Sequence, residues 1–226
     1  MGQIYETAKN VAVYLGKPSE RSEEGMRCLR FFIESKNQLQ EPPWLYSKLR
    51  EAEENLEDIL TRPWFERIWT VQEATLARNT TLHCGAQQVS WPGDLQTMKS
   101  LVFRIKAAAI SPYFSSGSGY IGTLDWSPLL NILETQMRQA ARREGVTLHR
   151  NHLDLAFDFR HRKSTDPRDK YFAIFGLVEN DQGVQLALAP DYTVRLEELH
   201  HRFTAEIRRI GETEHARRIM ESNNSL

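Results

Sequence analysis

The sequence predicts an α/β protein in which helices far outnumber a few short strands. Apolar residues recur every three or four positions over much of the chain, which is the pattern of amphipathic helices. The run Val-Ala-Val-Tyr-Leu at residues 11–15 ends at Gly16 and is typical of a short buried strand. Residues 80–84 and 87–90 flank a Gly-Ala pair, which predicts a β-hairpin. The fold class follows from these three observations.

The composition is that of a globular protein that buries a sizeable core. Hydrophobic residues make up 40% of the 226 residues and charged residues 26%, and five Trp and ten Phe argue against disorder. The formal net charge of -1 gives no basic excess, so we expect no nucleic-acid partner. With no internal repeat and no linker, we expect one domain over residues 1–210 and a polar C-terminal tail over residues 211–226.

Cysteine usage and hydropathy predict a cytoplasmic protein. Cys28 and Cys84 are the two cysteines, too few for a disulfide framework or a four-thiolate zinc site. No apolar run approaches the roughly 18 residues that a membrane-spanning helix needs. The first residues lack the basic and apolar regions of a signal peptide, so we expect no membrane association.

The predicted helices share apolar stripes at three- and four-residue spacing. Residues 153–159 fit a strand and a helix equally well, and the Ser- and Gly-rich residues 111–127 predict a loop. The helices cover about residues 4–8, 26–33, 45–60, 63–76, 92–105, 128–143, 167–175 and 196–210.

The predicted helix over residues 63–76 carries the first candidate site. Pro63 suits the first helical position, where its missing N–H is not needed. Glu73 falls one turn after Trp69 and on the apolar side of this helix or at its edge. A carboxylate placed there is a candidate for chemistry or for a buried structural bond.

A second polar cluster opens the helix that ends at Gly176. Asp166 is placed to cap the helix, Pro167 to occupy its first turn and Asp169 to favour its dipole. Arg168 is a candidate contact for a phosphate, and a local ion pair with an aspartate is the alternative.

The histidines predict no metal site. His149 and His152 have a spacing that two ligands on one helix can share, but a third ligand is not evident. His83 and Cys84 are neighbours on a predicted strand and point to opposite faces.

Three stretches of the sequence, in this order, carry a resemblance to a known domain family. The first is Ile-Tyr at residues 4–5 leading into the strand at residues 11–16. The second is Arg-Pro-Trp-Phe-Glu-Arg-Ile-Trp-Thr-Val-Gln-Glu at residues 62–73. The third is Thr-Asp-Pro-Arg-Asp-Lys-Tyr at residues 165–171, followed by Pro-Asp-Tyr at residues 190–192. Together, the three stretches resemble the fungal heterokaryon-incompatibility (HET) domain. The resemblance spans about residues 1–210 and departs from the family in lacking its N-terminal strands, as expected for a fragment.

The resemblance implies a role in fungal nonself recognition that leads to programmed cell death, with protein partners or self-association. The family's domain has been likened to TIR domains, some of which cleave NAD with a helix glutamate near a tryptophan. Glu73 is the analogous catalytic candidate, and a carboxylate there would stabilise an oxocarbenium-like centre. NAD would then be a substrate, and no cofactor is expected.

Each of these roles has an alternative. A structural bond is favoured over catalysis for Glu73, a core position over ligand stacking for Trp69, and a helix cap with a local ion pair over a phosphate contact for Arg168. The sequence therefore does not decide whether the protein is an enzyme. For a chain that lacks the N-terminal strands of the family, it favours the absence of enzyme activity. A third possibility is an inert fragment, or a regulator of full-length relatives.

Overall fold

A computed structural model describes residues 2–35, 49–110, 124–145, 152–177 and 187–223 of the chain. It divides into two compact units, residues 1–148 and residues 149–226. Helices predominate over one small sheet, which confirms the predicted α-rich α/β class. The predicted domain limits at residues 210 and 211 stay a prediction.

The first unit contains helices α1 to α7 and a three-stranded sheet. The strands are β1 Val11–Tyr14, β2 Thr80–Cys84 and β3 Gln87–Trp91. The helices are α1 Gly2–Thr7, α2 Ser22–Glu34, α3 Leu49–Leu60, α4 Pro63–Glu66, α5 Thr70–Leu76, α6 Leu95–Ile110 and α7 Ser127–Arg143.

The sheet runs in the order β1-β2-β3. β1 pairs with β2 in parallel, with Val13 beside Leu82, and β2 pairs with β3 antiparallel, with Leu82 beside Val89. The predicted hairpin is therefore confirmed. Its turn contains Gly85 at a φ of 55°, a backbone angle that residues with a side chain rarely adopt. Gly16, which was predicted to end β1, also has a positive φ, of 112°.

Burial of β1 is one-sided, which differs from the expected buried strand. Val13 and the following Leu15 lie in the core, whereas Ala12 is exposed and Tyr14 is 65% exposed. The reason is that α2 packs against the sheet through β2 and β3, and the side chains of one face point into the core. A run of apolar residues does not reveal that a strand has one open face.

Helices α2 and α3 pack closely against each other. Gly25 lies so near α3 that a Cβ atom there would sit 2.2 Å from the carbonyl oxygen of Asn55 and 2.6 Å from Ile59. The absence of a side chain at Gly25 lets the two backbones approach. Leu29 of α2 and Leu56 of α3 are fully buried in the same core.

The single helix predicted over residues 63–76 is wrong, because the chain forms two short helices there. Arg67 has extended backbone angles, φ -78° and ψ 142°, and this breaks the helical path after α4. The hydroxyl of Thr70 donates to the carbonyl oxygen of Arg67 at 2.6 Å and stabilises the break. Ile68, between the helices, is buried.

The second unit contains helices α8 His152–Asp158, α9 Asp169–Phe175 and α10 Leu196–Asn223. The ambiguous segment near residue 155 is thus helical. α10 continues past Gly211, so most of the segment predicted as a polar tail is part of that helix. Aromatic rings hold the unit together: Phe203 of α10 contacts Tyr171 and Phe175 of α9.

None of the helices in the described part of the chain is long and apolar enough to span a membrane. The predicted loop lies mostly outside the described residues, at residues 111–123, as does the start of the helix predicted from residue 45.

Candidate functional site

Glu73 is held at the meeting point of three helices of the first unit. Its carboxylate oxygen Oε2 accepts a hydrogen bond of 2.9 Å from the indole Nε1 of Trp64, on α4. The other oxygen, Oε1, accepts a longer bond of 3.4 Å from the hydroxyl of Tyr5, on α1. The sequence predicted a functional carboxylate here, and the structure gives that carboxylate two aromatic donors.

Trp64 is positioned by a buried aromatic cluster. Its ring is 7% exposed and meets the rings of Phe65 and Trp91 edge to face, at centroid distances of 4.9 and 6.1 Å. The indole of Trp91 in turn donates to Gln136 of α7 at 2.7 Å. Glu73 therefore terminates a chain of contacts that begins in the core, which fixes the direction of the Trp64 N–H.

Tyr5 carries the second donor. Burial raises the pKa of its hydroxyl above the usual value, the charge of Glu73 and the bond to it add to the rise, and Arg67 lowers it. The hydroxyl thus keeps its proton and acts as a donor to Glu73. α1 packs against α5, and this contact brings Tyr5 and Glu73 together across the sequence.

Trp69, the tryptophan that the sequence paired with Glu73, occupies a different place. It is the residue before α5 and is partly buried, and its carbonyl oxygen accepts the backbone N–H of Glu73 at 3.5 Å. Its described contact with Glu73 is through the backbone. The broken helix explains the difference, because Trp64 lies on another helix and reaches Glu73 across the break.

Sequence reasoning missed Trp64 and Tyr5 as members of this site. Both residues stand in stretches that had been singled out, at residues 4–5 and 62–73. A buried Trp usually needs an acceptor for its N–H. The presence of Trp64 in the same stretch as Glu73 was therefore the one feature of the sequence that could have indicated this bond.

Arg168 lies in the second unit and holds two loops together. Its Nε and Nη2 donate to Asp166, at 2.9 Å to Oδ1 and 2.6 Å to Oδ2. Its Nη1 donates to the carbonyl oxygens of Tyr192 and Val194. The bond from Arg168 lowers the pKa of the Asp166 carboxyl, and the same bond raises the pKa of Arg168. Most donors of this guanidinium are thus used inside the protein.

The helix after Arg168 begins later than the sequence predicts. α9 starts at Asp169, and Asp166 Oδ1 accepts the backbone N–H of Arg168 at 2.9 Å in a turn that precedes the helix. Asp166 is therefore a turn residue rather than the helix cap, because its side chain bonds its own backbone two residues on. The predicted end at Gly176 is confirmed.

The Pro-Asp-Tyr stretch packs against this turn. The hydroxyl of Tyr192 donates to Asp169 Oδ1 at 2.6 Å, and the guanidinium of Arg168 lies 5.3 Å from the Tyr192 ring centre. Burial, followed by the bond to Asp169, raises the pKa of Tyr192 to about 12. Two motifs that the sequence placed about twenty residues apart form one structural unit.

Within the described part of the chain, no group of His, Cys, Asp and Glu side chains is arranged to hold a metal ion. His149 and the side chain of His152 lie outside the described residues, so that spacing stays undecided. His83 and Cys84 alternate on β2 as expected, with Cys84 buried and His83 partly exposed.

Comparison with known proteins gives one match. Residues 1–73 match the family model of the Heterokaryon incompatibility protein (HET), which confirms the resemblance over that segment. Tyr5, Trp64 and Glu73 all lie within the matched residues, whereas Arg168 lies outside them. At the family level, the match supports a role in heterokaryon incompatibility. No curated protein and no solved structure matches the chain.

Proposed function

We propose that this chain acts in fungal nonself recognition, as a signalling module that leads to programmed cell death by contact with protein partners or with itself. The observation that carries the proposal is the HET match over residues 1–73, which includes all three members of the Glu73 site.

The geometry favours a structural task for Glu73 within such a module. Both carboxylate oxygens accept bonds from side chains of neighbouring helices, Trp64 Nε1 and the Tyr5 hydroxyl. Such bonds join α1, α4 and α5. Removing the carboxylate would leave the buried indole N–H without its acceptor.

A catalytic role for Glu73, with NAD as substrate, is the second candidate. The observation in its favour is that Glu73 is only partly buried and lies beside a tryptophan and a tyrosine. A carboxylate at that place would act on the positive charge that develops when a glycosidic bond breaks.

One substitution separates the two candidates. Glu73→Gln keeps an oxygen that accepts the Trp64 N–H but removes the negative charge, so the fold is retained and charge-dependent chemistry is lost. The chain and this variant are expressed at equal levels in a fungal host, and cell viability and cellular NAD are measured together.

The signalling proposal expects both proteins to cause cell death without a fall in NAD that precedes it. Death and early NAD loss with the parent chain, both absent with Glu73→Gln, would establish the catalytic candidate instead. A parent chain that kills no cells contradicts both proposals, and protection against a full-length relative would then identify a regulator.

A further inference from the structure

The outer edge of β1 presents backbone groups that have no strand beside them in the described part of the chain. The N–H groups of Val11 and Leu15 donate to carbonyl oxygens on the β2 side, at 2.9 and 2.8 Å. In a parallel ladder every second residue bonds to the same neighbouring strand, so Val13 also faces β2 and the residues that alternate with these three turn both backbone groups the other way. Ala12 and Tyr14 therefore direct their N–H and C=O groups away from the sheet.

The opposite edge of the sheet is treated differently. There the guanidinium Nη2 of Arg30, on α2, donates to the carbonyl oxygen of Gln88 at 2.7 Å, and α2 packs along β3. One side chain of α2 thus satisfies a backbone carbonyl group at the β3 edge. Among the described residues, no such bond reaches the outward backbone groups of Ala12 or Tyr14.

β1 is short, but it carries no charge and no proline within the strand to protect its edge. Its sequence is Val-Ala-Val-Tyr, and its Tyr14 side chain is 65% exposed. Natural sheets block such edges with a lysine or proline within the strand, or with a bulge. An edge without them is suited to the addition of an extended peptide as a further strand.

The charges next to β1 select the kind of segment that fits. Lys9 stands just before the strand and Lys17 soon after it, and both are exposed. In antiparallel pairing of two copies of β1, Lys9 of each copy would approach Lys17 of the other, which is repulsive. A segment with acidic residues at both ends meets these lysines favourably.

We propose that β1 accepts an extended segment of a partner protein as an added strand, bonded to Ala12 and Tyr14 and carrying acidic residues opposite Lys9 and Lys17. The inference rests on the proposed function, because it names the surface through which the signalling module would recognise its partner.

The test uses the purified chain and a blocked synthetic peptide of alternating Thr and Val with a Glu at each end. Two control peptides have Lys at both ends, or N-methyl groups on the central amides. Amide hydrogen exchange of Ala12 and Tyr14 is compared with that of Val13, whose N–H faces β2. The matched variant Ala12→Pro removes one outward N–H and leaves the β1–β2 bonds in place.

We expect the Glu-ended peptide to slow exchange at Ala12 and Tyr14 by about tenfold or more, as a newly formed backbone bond does. The N-methylated peptide loses this protection at both amides, and the Ala12→Pro variant, which has no amide hydrogen at position 12, loses it at Tyr14. Lys9→Glu combined with Lys17→Glu reverses the preference toward the Lys-ended peptide. Because the N-methylated peptide needs no variant, the test holds even if Ala12→Pro fails to fold.

Unchanged exchange with the Glu-ended peptide would overturn the inference, as would equal protection by the N-methylated peptide. Protection that grows with protein concentration and needs no peptide would identify a second copy as the occupant and overturn it too. These readouts do not depend on cell death. A chain that binds the peptide but kills no cells contradicts the proposed function alone.

Discussion

The indole Nε1 of Trp64 donates to the carboxylate of Glu73 across a break between two short helices, at 2.9 Å. This bond joins α4 to α5 where the backbone is not helical, and it lies at the end of the buried cluster of Trp91 and Gln136. Among the described side-chain bonds of Glu73, it is the one that contacts the core directly. Its loss should therefore lower the stability of the surrounding structure as well as change the site.

Glu73→Ala should reduce the free energy of unfolding by about 1–3 kcal/mol, because the buried Trp64 N–H loses its acceptor. Urea denaturation, followed by tryptophan fluorescence, measures the loss. The exposed Glu20→Ala serves as the control and should change stability little.

The same bond predicts non-additivity. Trp64→Phe removes the donor, so adding Glu73→Ala to it should cost less than Glu73→Ala costs alone. Strictly additive losses in this double-mutant cycle would show that Trp64 and Glu73 do not stabilise one another.

Gly25→Ala should reduce the free energy of unfolding of the first unit by about 1–3 kcal/mol, because the added Cβ overpacks a close contact. The added Cβ would lie 2.2 Å from the Asn55 carbonyl oxygen, and that backbone atom cannot rotate away. Thermal unfolding monitored by circular dichroism measures the effect. The control is Gly211→Ala in α10, where the added Cβ meets nothing within 4 Å. This helical position should gain about 1 kcal/mol, and equal effects at both glycines would contradict the close contact.

Local signals in the sequence were enough for much of the fold. The hairpin was predictable because its turn is short and Gly85 supplies the left-handed conformation. Helices such as α2 and α7 carry apolar stripes long enough to identify them. By contrast, the break at Arg67 has no proline or glycine to announce it. Trp64, Phe65 and Ile68 are all buried around this break, so the packing of their side chains in the core determines the backbone conformation there.

The candidate site was predictable only in part for the same reason. Glu73 was identified by its position on the apolar face of a predicted helix. Because that helix was taken as unbroken, Trp69 was predicted as the neighbouring tryptophan, whereas Trp64 makes the bond. Tyr5 is 68 residues away in sequence, and only the packing of α1 on α5 brings it to Glu73. Such long-range contacts are not encoded in spacing.

Replacement of Arg168 should change how stability depends on pH. The pKa of Asp166 is lowered in the folded chain, first by the side-chain bond from Arg168. The stabilisation is therefore present above the unfolded pKa of about 3.9 and is lost as pH falls through the lowered value. Arg168→Lys keeps the charge but loses the paired bonds to Asp166 and the links to Tyr192 and Val194.

The measurement for Arg168→Lys is the free energy of unfolding from about pH 2 to pH 6, spanning the carboxyl titration. The parent should be more stable near pH 6, and the two curves should approach each other in acid. Arg195→Lys, at an exposed neighbouring position, is the matched control and should follow the parent throughout. A constant difference at every pH would mean that the Asp166 bond contributes nothing.

The two thiols should be inert in the folded chain, because Cys28 is 3% exposed and Cys84 is 1% exposed. Burial raises the pKa of Cys28 to about 12, with a smaller rise from Glu24 and a lowering by Arg27. An aromatic disulfide reagent reacts with the thiolate form of cysteine and releases a coloured product. The colour should therefore develop only as urea unfolds the chain and exposes the two thiols.

The raised pKa of Cys28 also sets a direction for alkaline pH. The folded value lies above the unfolded value of about 8.5, so the stabilisation by the neutral thiol is complete below that pH. It should decline as pH rises toward the folded value of about 12. Cys28→Ala removes this contribution, so its stability should fall less steeply than that of the parent over the same range. The difference between the two proteins isolates Cys28 from the tyrosines, which titrate in both. Parallel curves, or rapid reaction of the folded chain with the reagent, would show that α2 opens and does not keep this thiol buried.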